Sequence, residues 1–131
     1  MRKFIFVLLL LSLSLVGCGG ESAPAEEDEQ AAGNVAAGEE LFNGGAQPAC
    51  TTCHSLEADV ALVGPSLAKI GADAGSRVSG QSAEEYLRKS IMEVNDYVVE
   101  GFAANIMPST YANQLSEQEV NDLVAYMLSL K

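Results

Sequence analysis

Soft metal ligands are scarce in this chain of 131 residues, which has one histidine and three cysteines. A structural zinc site takes four ligands, almost always cysteine and histidine. Cys18 belongs to an N-terminal leader described below, so Cys50, Cys53 and His54 fall one ligand short, and zinc would have to recruit carboxylates. Cations are also few: seven Lys and Arg stand against eighteen Asp and Glu, a formal net charge of −11. So acidic a chain is unsuited to a phosphate backbone and excludes nucleic acid as a partner. It is equally unsuited to lying flat on anionic lipid. No alternating or β-branched run precedes Cys50. The stretch there is Asn43-Gly44-Gly45-Ala46-Gln47-Pro48, so the strand-to-helix junction of a thioredoxin-like redox pair is missing. No internal repeat is visible.

What the chain does have is Cys50-Thr51-Thr52-Cys53-His54. Two thiols at this spacing reach neighbouring pyrrole rings of one porphyrin, and the adjacent imidazole is carried onto one face of the iron. Each thiol adds across a vinyl group to give a thioether, so the pattern predicts one covalently attached haem c. A plain disulfide between Cys50 and Cys53 would leave His54 without a role.

The N-terminus combines Arg2 and Lys3 with an apolar run from Phe4 to Val16 and then Leu15-Val16-Gly17-Cys18. A basic start, a short apolar core and small residues at the cut make a secretory signal too short for a permanent span. Its last four residues resemble the bacterial lipoprotein signal. That resemblance implies cleavage after Gly17 and a lipid anchor on Cys18; the plainer alternative is an ordinary signal with an incidental cysteine. Loss of Arg2 and Lys3 moves the net charge from −11 to −13. Residues 19–33 contain five acids and no aliphatic side chain larger than alanine. Such a stretch buries too little to fold and reads as an extended leash of about 20 Å. The organisation expected is therefore a signal peptide at 1–17, an acylated cysteine and acidic linker at 18–33, and a folded domain at 34–131. The domain would lie in the periplasm or outside the cell, tethered to a bacterial membrane.

Within the domain, Asn34 reads as an N-cap for a short helix from Val35 to Phe42, ended by Asn43-Gly44-Gly45. Gly64-Pro65 reads as a turn followed by one or two helical turns to Gly71, and residues 72–80, small and polar, as a loop. Ser82-Ala83-Glu84-Glu85 is a capping box opening a helix with Leu87, Ile91 and Val94 along one face. Residues 95–105 are irregular and broken by Gly101. Ser116-Glu117-Gln118-Glu119 opens a last helix whose Val120, Leu123, Val124, Met127 and Leu128 form one stripe. The class expected is all-α, with three to five short helices and long loops. Roughly 98 residues arranged so make a thin core, which a haem wedged between the helices completes.

Three methionines remain after the leader. Met127 lies on the stripe of the last helix and reads as core filler, and nothing distinguishes Met92. Met107 precedes Pro108, which favours extended backbone within a loop, so it is either the second axial ligand or a gap filler.

From Val35 onward the chain resembles class I c-type cytochromes, especially small bacterial ones and haem domains fused to oxidase subunits. The resemblance is carried by Ala37-Gly38-Glu39-Glu40-Leu41-Phe42, the Cys50–His54 pattern, Gly64-Pro65, Tyr86-Leu87-Arg88-Lys89-Ser90-Ile91, Met107-Pro108 and Leu123-Val124-Ala125-Tyr126-Met127. It implies that Gly38 and Phe42 pack on the last helix near Tyr126. It also implies that the Pro65 carbonyl accepts from His54 Nδ1, that Met107 is the axial ligand and that Arg77 contacts a haem propionate. Tyr111 would reach a propionate or support the Met107 loop. The ring of lysines found in mitochondrial members is missing, so their partner surface does not carry over. The function implied is single-electron transfer between redox partners, here ones with basic faces, without a small-molecule substrate. The alternatives are a haem enzyme or gas sensor with an open distal site, and a haem-free disulfide relay.

Overall fold

The computed structural model describes residues 32–131; the leader, Cys18 and nearly all of the expected leash lie outside the described residues. Those described form five α-helices and no strand, in keeping with the all-α expectation.

Helix α1 (Val35–Glu40) starts where the Asn34 side chain accepts from the backbone N–H groups of Ala36 and Ala37, at 3.0 and 3.1 Å. It does not run regularly to Phe42 as predicted. The helix ends in a wider turn over Leu41–Gly45, where Gly44 leaves helical backbone geometry and Ala46 N–H donates to the Leu41 carbonyl at 3.0 Å. That wider turn points Phe42 into the core, where it is 1% exposed. A single 3₁₀ turn, Cys50–Thr52, follows.

Helix α2 (Ile70–Arg77) occupies most of the stretch expected to be a loop. Its small residues are there for close packing. A side chain at Gly71 would come within 2.3 Å of the Leu128 carbonyl, and Ala74 is buried. The chain terminus fastens this end: Gly71 N–H donates to Leu130 O at 2.8 Å, and Lys131 Nζ to Gly71 O at 2.9 Å.

Helix α3 (Ala83–Met92) is capped by Ser82, whose side chain accepts from Glu85 N–H at 3.1 Å, so one half of the expected box forms. Val94, assigned to its face, lies beyond its end. After a long irregular segment comes a one-turn helix, α4 (Tyr111–Gln114), which the pattern did not suggest. Helix α5 (Glu117–Ser129) carries the complete box: Ser116 accepts from Glu119 N–H, and the Glu119 carboxylate accepts from Ser116 N–H at 2.7 Å.

Helix α5 is the spine. Val120, Leu123, Val124 and Met127 are all buried, each contributing on the order of 1.5–3 kcal/mol. Helix α1 crosses α5 at Gly38, where an added Cβ would lie 2.0 Å from the Asp122 carbonyl. One turn on, the Phe42 and Tyr126 rings pack with centroids 5.4 Å apart. The buried Asp122 carboxylate accepts from Asn34 N–H at 2.7 Å and from Gln118 Nε2 at 2.8 Å, tying the start of the domain to α5. Arg88 joins α3 to α5 through Glu117 at 2.6 Å and through Asn121. No helix among the described residues is long and apolar enough to cross a membrane.

Candidate functional site

The helices wall one side of an open, mostly apolar cavity. Phe42, Leu87, Ile91, Leu123 and Met127 form the helical wall. The 3₁₀ turn supplies Cys50 and Cys53, and the segment between α3 and α4 supplies Val94 to Pro108. Val63 and Ile106 line the cavity while remaining 56% and 54% exposed, so they mark the mouth.

The 3₁₀ turn gathers the reactive groups. The N–H groups of Cys53 and His54 both donate to the Cys50 carbonyl, at 3.1 and 2.9 Å, which holds the three residues in one tight bend. Both cysteines are free and both border the cavity. Burial pushes the Cys50 thiol up to about 11, with the neighbouring Cys53 adding to the rise and a hydrogen bond from Cys50's own backbone opposing it. His54 Nδ1 lies 2.8 Å from the Pro65 carbonyl. A carbonyl only accepts, so Nδ1 carries the proton and Nε2 keeps its lone pair. Burial lowers the imidazole's proton affinity, and the Pro65 bond opposes this in part. Gly64 lies on the ring itself: a Cβ there would be 2.5 Å from His54 Cε1.

Met107 borders the same cavity from the irregular segment after α3. That segment is shaped by Gly101 at φ +91° and Asn105 at φ +62°, with Asn105 N–H donating to the Asn95 side chain at 2.8 Å. Met127 also touches the cavity, as part of the buried wall of α5, and Met92 packs on the core without bordering the cavity.

A half-buried neutral imidazole nitrogen and two thiols on one edge of an apolar slot are a donor set suited to haem c. The slot itself suits a flat, mostly apolar macrocycle. The family model for cytochrome c matches residues 35–131. The chain belongs to the cytochrome c family. No curated protein matches it. Members of this family carry covalently attached haem c, and Cys50 and Cys53 have the required spacing in this cytochrome.

Arg77 and Tyr111 complete the set of residues named by the resemblance. Arg77, at the end of α2, does not border the cavity. Its guanidinium meets Asp73 at 3.4 Å, and its buried Nε has no partner among the described residues. Tyr111 does border the cavity, but its hydroxyl donates to the Pro48 carbonyl at 2.6 Å, on the cysteine side. Burial raises this phenol to about 12, with Cys50 and Cys53 adding to the effect. Sequence pattern missed the Tyr111–Pro48 and Asp122–Asn34 contacts. Its one available signal was an acid, Asp122, set between Val120 and Leu123 of the apolar stripe.

Proposed function

We propose that this cytochrome is a membrane-tethered single-electron carrier whose iron is held between His54 Nε2 and the Met107 thioether. The observation that carries the reading is the shared cavity. Cys50, Cys53 and His54 enter it from one segment and Met107 from another, with a mouth at Val63 and Ile106. When bound, haem supplies a one-electron Fe(III)/Fe(II) couple. The protein's part is to keep the ligand set fixed in both states and to exclude water from all but one edge. Pro65 sets the tautomer and plane of His54. Contact of Arg77 with a haem propionate is carried by the resemblance alone; its Nε, without a partner among the described residues, is the donor it would offer.

Family membership shows a haem c electron carrier; the tether and the partners belong to the proposal. The leader pattern supports cleavage before Cys18, acylation of that cysteine and a domain held in the periplasm or outside the cell. The charge of −11 supports docking partners with basic faces. A reduced-minus-oxidised spectrum tests the core of this reading: a c-type α band is expected, and its absence refutes it. The far-red charge-transfer band of the ferric protein reports Met107, and rapid CO binding to the reduced protein would instead indicate an open distal site. Cys18→Ser should move the protein from the membrane fraction to the soluble one.

A further inference from the structure

The two sides of the cavity are held by different parts of the chain. Cys50, Cys53 and His54 sit on a loop fixed by its own turn, whereas Met107 sits in the long irregular segment between α3 and α4. Within that segment, the Asn105–Asn95 bond is internal, and Tyr97 rests edge-on against Tyr86 of α3 with ring centroids 5.7 Å apart. Neither contact reaches the cysteine loop. Tyr111 does. It follows Met107 by four residues, it is 4% exposed, and its hydroxyl crosses the fold to a carbonyl two residues before Cys50. The bond is short and part-buried, running from the buried Tyr111 to the exposed Pro48, and the ring borders the cavity.

We propose that Tyr111 is a positioning residue: its hydrogen bond to the Pro48 carbonyl clamps the Met107 segment to the cysteine loop and so sets how firmly Met107 stays on the iron. The inference rests on ligation by Met107. The physical step is simple. Removing the hydroxyl leaves the Pro48 carbonyl without its donor and frees the end of the segment that carries the thioether. A hydrogen bond of this kind corresponds to a change of up to about tenfold in the equilibrium it biases.

The probe is imidazole, which displaces a thioether from ferric haem and removes the far-red band as it does so. In Tyr111→Phe holoprotein, imidazole should bind up to about tenfold more tightly than in the wild type. Val124→Ala, in a buried residue of α5 away from the cavity, provides the stability control. It should lower the unfolding midpoint and leave the imidazole affinity unchanged. Replacement of Tyr111 alone by 3-fluorotyrosine, which keeps and sharpens the donor, should bind imidazole no more tightly than the wild type. This variant serves if Tyr111→Phe fails to mature. Equal affinity in Tyr111→Phe and wild type overturns the clamp, as does an equal gain in Val124→Ala or a gain with 3-fluorotyrosine. A wild-type ferric protein without the far-red band overturns ligation by Met107 and the clamp with it, a failure visible before any variant is made.

Discussion

Gly64 shows how little tolerance there is around the His54 imidazole. Its position against the His54 ring leaves no volume for a methyl group, and the ring cannot retreat without losing its bond to Pro65. Gly64→Ala should therefore tilt or expel the imidazole and cost about 1–3 kcal/mol. It should also lower the yield of holoprotein relative to apoprotein, measured as the α-band absorbance per mole of chain. Residues whose chemistry is local were legible in the sequence, because attachment of a porphyrin fixes the spacing of Cys50, Cys53 and His54. Pro65 came only through family resemblance, since its carbonyl is backbone and eleven residues away. The acceptor of Tyr111 lies 63 residues away, and no local pattern records such a contact.

Among the helices, the crossing of α1 and α5 is the seam with the least slack. Gly38 faces backbone there, which cannot swing aside as a side chain can. Gly38→Ala should cost about 3 kcal/mol or more in urea unfolding. Gly44→Ala should cost little: nothing lies within 4 Å of that position, and its φ of 179° is open to any residue. The α5 cap gives a pH-dependent counterpart. Hydrogen bonds from the Ser116 backbone and side chain hold the Glu119 carboxyl below its usual value. The ionised form is thus favoured by folding, and this contribution is present above the unfolded value of 4.5 and fades as pH falls through the folded one. Glu119→Gln should be destabilising at pH 7, with the gap to wild type closing as pH falls below 4.5. A constant gap would show that charge is not what Glu119 brings. At this scale the amphipathic helices were legible from their stripes and caps. Helix α2 was not, because its small residues, which suit loops in isolation, are required here by the nearness of Leu128 and Leu130.

For the molecule as a whole, the excess of acids sets the field a partner meets. Electron transfer to a basic partner should slow steeply between low and physiological salt, because screening shortens the reach of the attraction to about 8 Å. A rate flat in ionic strength would remove charge from docking. Net charge and the all-α class were legible from composition and periodicity. The cavity was inferred only indirectly, from a helical content too thin to fill its own middle.

The start of the domain is bonded to the middle of α5 through Asn34 and Asp122, on a face that contributes nothing to the cavity wall. A pull on the residues before it is therefore resisted first at that joint. Mechanical stress reaching the domain from its N-terminal side would peel α1 from α5 before it disturbed the compartment where the electron resides.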